Sequence, residues 1–277
     1  MRKIAIAICA ITMLMCTTAC QDNSVEFANP IATQKNLGMD PRVQELIQQA
    51  RNGDAEAYKS LAICYRNGEG VEKSWLNDVY LHASYCKKTG EDIDSIVKFF
   101  DEDHPFRQIS EILNVPSLDE KAWEKLEQLK QHAPAEAKTI GAIIVLMSEE
   151  NPEKALTMLH EAEDEGSELS SLFQYIYYEQ ADRKDEYEQC LIRQSAKYPF
   201  LNLKIGEIYI GKYWESEDFT DIQKAMEYYY KADAYGMLTP KHANGLLNIY
   251  KHFGKQGLLD TDEKEIERLI NIAKTES

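Results

Sequence analysis

The stretch KAMEYYYKADAYG, residues 224–236, sets alanines at positions 225 and 232 around three consecutive tyrosines and then stops at a glycine. At 100° per residue, Ala225, Tyr228, Ala232 and Tyr235 fall in one helical stripe with Tyr229 on its edge, whereas Tyr230 lies about 200° from Tyr228. Small side chains let a neighbouring helix approach closely, and a large ring fills the gap beside them. The spacing therefore predicts a helix that packs through this stripe, with Tyr228 in the core. Tyr230 and Met226 face either the next helix layer or solvent, and Gly236 ends the helix in a left-handed conformation.

The pattern recurs. Ile205-Gly206-Glu207-Ile208-Tyr209 precedes Lys224-Ala225, Tyr228, Lys231-Ala232 and Gly236; Ile140-Gly141 and Ile144 precede Lys154-Ala155, Met158, Glu161-Ala162 and Gly166. From the Lys-Ala pair to the second alanine and on to the glycine, the two copies have the same spacing. A third copy begins earlier, with Ala57, Leu61-Ala62, Tyr65, Gly68, Gly70 and Val71, and loses the Lys-Ala pair in its second half. Elsewhere apolar residues recur at three and four, as in Ala122, Trp123, Leu126, Leu129, and strand signals are nearly absent. The period predicts roughly a dozen helices. Asp40-Pro41, Asn151-Pro152 and Thr239-Pro240 each read as a capping side chain before a first-turn proline, and Ser117 to Glu120 as a capping box.

On Ala57-x3-Leu61-Ala62-x2-Tyr65-x2-Gly68-x-Gly70-Val71, and on Lys224-Ala225-x2-Tyr228-x2-Lys231-Ala232 closed by Gly236, the chain resembles the Sel1-like repeats, relatives of the tetratricopeptide repeat. The resemblance covers three separated copies; residues 91–134, 167–199 and 237–277 match it poorly. It implies an all-α fold, an α-α superhelix or solenoid of degenerate antiparallel helix pairs over residues 41–277, used to hold other proteins together.

The first residues, MRKIAIAICAITMLMCTTAC, carry Arg2 and Lys3, then the 13 uncharged residues Ile4–Cys16, then small residues before Cys20. That run is short of the roughly 18 apolar residues of a spanning helix, so residues 1–19 read as a removable signal peptide. Thr17-Thr18-Ala19-Cys20 resembles a bacterial lipobox, with Thr17 where leucine is usual. The resemblance implies lipidation of Cys20 and anchoring in the cell envelope, the outer membrane rather than the inner because Gln21 stands where a retention signal would carry Asp. Residues 20–40 then form a lipidated tether with a mean reach of about 25 Å.

The chain holds 31 basic and 47 acidic residues, and removal of residues 1–19, with two basic and no acidic groups, takes the net charge from −16 to −18. Binding to nucleic acid or to anionic lipid requires clustered Lys and Arg, so neither partner is expected. Beyond Cys20 three cysteines remain, Cys64, Cys86 and Cys190. Either Cys64 and Cys86 bridge a helical hairpin, or all three are small buried side chains, as the odd number favours.

No catalytic constellation stands out, and no cofactor or metal is expected. The six histidines form no HExxH pair. Asp101-Glu102-Asp103-His104 lacks the spacing of an EF-hand loop. Ser84-Tyr85-Cys86-Lys87 (SxxK) and Lys88-Thr89-Gly90 (KTG) are contiguous rather than separated as in penicillin-binding enzymes. SLFQYIYYEQ, residues 171–180, is the candidate recognition surface: Phe173, Ile176 and Tyr177 turn inward while Tyr175 and Tyr178 point away, and Tyr230 is a third candidate. Against this stands the ordinary use of tyrosine in helical cores. The expected function is a protein- or peptide-binding scaffold rather than an enzyme; the alternative is an accessory or enzyme of cell-wall glycan processing.

Overall fold

The computed structural model describes residues 39–113, 120–148, 151–260 and 262–274. The signal segment, Cys20, the tether as far as residue 38 and the Ser117 cap lie outside these residues. Among the described residues the fold is all-α, with thirteen α-helices and one 3-10 helix and no strand. In chain order they are α1 (Pro41–Arg51), α2 (Ala55–Asn67), α3 (Trp75–Thr89), the 3-10 helix Ile93–Phe99, α4 (Pro105–Leu113), α5 (Glu120–His132), α6 (Pro134–Ser148) and α7 (Pro152–Asp164). There follow α8 (Glu168–Gln180), α9 (Lys184–Gln194), α10 (Leu201–Ser216), α11 (Phe219–Asp233), α12 (Pro240–Phe253) and α13 (Glu263–Ala273). None of these is long and apolar enough to cross a membrane.

Local chemistry sets the helix ends. The Asp40 and Asn151 side chains accept from Arg42 N–H and Lys154 N–H at 2.8 and 3.0 Å, and Thr239 accepts from His242 N–H at 3.4 Å, each ahead of a proline at the first helical position. The glycines of the repeated pattern close the other ends. Gly236 N–H donates to Asp233 O and Met237 N–H to Ala232 O; Gly166 N–H donates to Glu163 O and Ser167 N–H to Ala162 O. Both glycines have positive φ, 70° and 98°. This is the Schellman closure, which fixes the distance from the second alanine to the glycine because that alanine's carbonyl takes the longer bond.

The alanines are notches, as expected: Ala155, Ala162, Ala225 and Ala232 are fully buried. The most extensive helix-to-helix contacts are α2 with α3, α6 with α7 and α10 with α11, the three segments that carry the pattern. One position of the expectation is corrected. Along α11 the buried residues are Ile222, Ala225, Met226, Tyr229, Ala232 and Asp233, while Tyr228 is half-buried. The reason lies on α10, where Gly206 makes room for a ring: a Cβ there would stand 2.4 Å from Tyr229 Cε1. Tyr228 instead stacks on Tyr209 at 5.7 Å, with Lys231 4.2 Å from its ring centre.

The helices divide into two compact units. One is the continuous segment Ile93–Cys190; the other joins residues 39–92 to residues 191–274. In a solenoid each repeat contacts only its neighbours along the chain. In the second unit α1–α3 instead meet α11–α13 directly. Arg51 reaches Asp233 with Nε at 3.0 Å, and Tyr58 and Tyr80 donate to the backbone carbonyls of Leu238 and Met237 at 3.4 and 3.1 Å. Arg268 grips both Asp233 oxygens, at 3.1 and 2.9 Å, and the Arg51 carbonyl at 2.9 Å. Gly236 packs on Ala50 and Leu61.

In the Ile93–Cys190 unit, Glu136 of α6 is buried and caps α8. Its carboxylate accepts from Ser167 Oγ at 2.5 Å and from the backbone N–H groups of Glu168 and Leu169 at 3.0 and 3.3 Å. A carboxylate on orphan N–H groups at a helix start is favoured by hydrogen bonding and by the helix dipole together. Cys64, Cys86 and Cys190 are buried thiols with no disulfide among the described residues.

Candidate functional site

Of the three tyrosines singled out from the sequence, two are buried rather than turned outward. Tyr175 is 2% and Tyr178 7% exposed. The Tyr175 hydroxyl is buried without a partner, and the Tyr178 hydroxyl lies 3.5 Å from His160 Nε2. Of residues 173, 175, 176, 177 and 178 it is Tyr177 that remains half-exposed, the reverse of the expected orientation. The physical cause is that α8 is covered by both α6 and α7, so apolar side chains all round it are buried. Tyr230 is half-buried, its hydroxyl 2.5 Å from Tyr250 Oη and 3.0 Å from Glu265 Oε1.

The SxxK and KTG residues are structural. Ser84 Oγ donates to Tyr80 O at 3.0 Å. Lys88 is 3% exposed, and its ammonium donates to the carbonyls of Asn271, Ile272 and Lys274, where α13 ends. A cation there satisfies orphan carbonyls and complements the helix dipole.

Two histidines sit in charged clusters. His82 Nδ1 is 2.7 Å from Asp78 Oδ1, and the same buried carboxylate receives Arg66 Nε at 2.8 Å, which ties α2 to α3. The second cluster has the connectivity of a hydrolytic triad: Thr239 Oγ1 to His242 Nδ1 at 2.6 Å, and His242 Nε2 to Glu207 Oε1 at 3.1 Å. Burial would raise the Glu207 carboxyl, yet the bond from His242 and the ammonium groups of Lys204 and Lys241 hold it well below the usual carboxylate range. Burial lowers the His242 imidazole despite Glu207. A neutral ring donating from Nε2 and accepting at Nδ1 satisfies both neighbours. The Thr239 hydroxyl, however, is the N-cap of α12, and neither pocket described below is lined by any of the three residues. Among the described residues no group of three His, Cys, Asp or Glu is placed to hold a metal ion.

Among the described residues two concave features stand out. In the Ile93–Cys190 unit an apolar groove of about 420 Å3 runs along Trp123 and Leu126 of α5, Ala137, Gly141 and Ile144 of α6 and Met158 of α7. On α6 its lining includes the small residues Ala137 and Gly141, which leave room beside Trp123. Trp123 is 46% exposed, whereas Ala122, Leu126 and Leu129 of the same helix are buried. The groove's two lysines are already paired, Lys130 with Glu127 and Lys138 with Glu161 and Glu165. The available signal in the sequence was a large aromatic one position off the Ala122, Leu126, Leu129 stripe.

The other feature, in the unit of residues 39–92 and 191–274, is a pocket of about 270 Å3 lined by Met39, by Tyr65, Gly70, Val71, Glu72, Ser74 and Asn77, and by Ala196, Lys197, Pro199 and Tyr235. Asn77 Nδ2 donates to Lys197 O at 3.0 Å, and its Oδ1 is buried without a partner. No protein-family model matches the chain, and no curated protein or solved structure is significantly similar to it.

Proposed function

We propose that the chain is an envelope lipoprotein, anchored through Cys20, whose Sel1-like/tetratricopeptide-like helix pairs form a scaffold that binds another protein. The repeat reading is supported by the recurrence of one alanine notch and one Schellman closure in α7 and α11, and the anchoring by the Thr17-Thr18-Ala19-Cys20 sequence. The observation that carries the binding role is Trp123, a half-exposed ring beside an apolar groove floored by Ala137 and Gly141. Aromatic rings beside desolvated pockets supply most of the energy of protein contacts. With its lysines neutralised by Glu127, Glu161 and Glu165 and with Glu124 next to Trp123, the rim is acidic overall. The fitting occupant is an apolar segment flanked by basic residues.

The test is site-specific photo-crosslinking in the native envelope from positions beside Trp123, in wild type and in Trp123→Asp. A discrete adduct lost in the variant is the expected result; the same adducts in both chains, or none in either, overturns the proposal. Anchoring is read separately by incorporation of labelled palmitate, which Cys20→Ala must abolish.

A further inference from the structure

An apolar groove selects its occupant by what it withholds. The side chains lining the Trp123 groove include no hydrogen-bond acceptor stronger than the Met158 thioether. Its two ammonium groups are already held by carboxylates, Lys130 by Glu127 and Lys138 by Glu161 and Glu165. Among the described residues there is no strand, and so no sheet edge for an extended chain to join. An extended segment laid here would bring backbone N–H groups against a wall that cannot accept from them. A helix brings only side chains, because its N–H and C=O groups are paired within it.

The lining is also spaced for a helix. Trp123, Leu126 and Lys130 recur at three and four along α5, and Ala137, Gly141 and Ile144 at four and three along α6, so each helix turns one stripe to the groove. Ala137 and Gly141 stand one turn apart. Among the described residues, the only side chain of another helix within 4 Å of a Cβ at Gly141 is the flexible end of Met158, at 3.4 Å. The α6 backbone is therefore open to close approach, as at the buried notches Ala155 with Ala162 and Ala225 with Ala232. Three carboxylates stand against the groove's two lysines, so the rim keeps one unbalanced negative charge and favours basic residues beside the apolar ones.

We infer that the groove takes an amphipathic α-helix of the partner, with apolar side chains at i, i+3, i+4 and i+7 against Trp123 and the Ala137–Gly141 notch and with lysine or arginine on its flanks. The inference rests on the reading of this groove as a protein-binding surface, and adds the conformation and residue pattern of what binds.

The experiment measures, by fluorescence anisotropy, the binding of two fluorescein-labelled peptides to the full-length chain. Both hold seven leucines and seven lysines; LKKLLKKLLKKLLK has the period of a helix and LKLKLKLKLKLKLK that of a strand. The expected result is saturable binding of the first and at least about tenfold weaker binding of its isomer, the penalty for burying unpaired backbone groups. Gly141→Leu, which fills the notch, and Trp123→Asp should each weaken the first peptide about tenfold or more. Trp214→Asp, at a ring 70% exposed on α10, should leave it unchanged. Equal affinity for the two isomers, a preference for the strand-period peptide, no binding of either, or binding indifferent to Gly141→Leu and Trp123→Asp overturns the inference. A Trp123-dependent adduct in the envelope beside any of those results would keep the binding role and remove only the helical occupant. Discrimination between the peptides without an adduct would support the helical groove and overturn the envelope partner.

Discussion

Arg268 donates to both oxygens of Asp233 and to the backbone carbonyl of Arg51, so one guanidinium ties α13 to α11 and to the last residue of α1. Asp233 is fully buried, and Arg51 also reaches its Oδ2 at 3.0 Å. Removing one partner of a buried ion pair leaves the others desolvated and costs about 3–5 kcal/mol. Asp233→Ala should therefore lower the unfolding free energy by that amount in urea titration, whereas breaking the exposed pair Arg42–Glu69 should cost less than about 1 kcal/mol. Equal effects would show that the buried network is not what joins these helices.

Two glycines of the repeated pattern should respond oppositely to alanine. At Gly206 the new methyl would meet the Tyr229 ring at 2.4 Å and the Ala225 carbonyl at 3.1 Å, and overpacking of this kind costs about 1–3 kcal/mol. At Gly141 the nearest atom is the flexible end of Met158 at 3.4 Å, so the helix-propensity gain of up to about 1 kcal/mol should prevail. Thermal melts of Gly206→Ala and Gly141→Ala should move in opposite directions; a shift of the same sign in both would refute the stated packing of α10 on α11.

Stability should fall as the pH drops below the ordinary histidine range. The His242 pKa is lowered in the fold by burial, so the unfolded chain takes the proton first. Its contribution is complete above about pH 6.5 and is lost as pH falls towards the folded value. Glu207, also lowered, contributes above about pH 4.3 and loses its share further into acid. Urea midpoints of wild type and His242→Gln should converge between pH 7 and 5; parallel curves across that window would show that His242 is not the group being titrated.

Native protein should be inert to a thiol reagent at Cys64, Cys86 and Cys190, since all three are buried and burial raises the Cys64 thiol. A chain beginning at residue 21, which keeps three of the six cysteines, should give three equivalents once it is unfolded without reductant. A count of one would reveal a disulfide between two of them.

What could be read from the sequence was what local geometry dictates. Asp40, Asn151 and Thr239 cap helices because the acceptor and the N–H it serves lie within three residues, and Gly236 follows Ala232 at a fixed distance because one closure joins them. The rotation of α11 was missed by one residue because Gly206, on another helix, chooses Tyr229 over Tyr228. Tyr175 and Tyr178 were misplaced because cover on both sides of α8 comes from α6 and α7. Arg51 and Asp233 stand 182 positions apart, and no period in the chain announces such a pair.

The joining of residues 39–92 to residues 191–274 also sets an order of events during synthesis. Ile93–Cys190 is continuous, so its helices can close on one another as soon as they emerge. Helices α1–α3 are made first yet find α11–α13 only when nearly everything else has been delivered. Until then the apolar faces that α1–α3 do not bury against one another wait uncovered, and an interrupted chain leaves them without their α11–α13 partners.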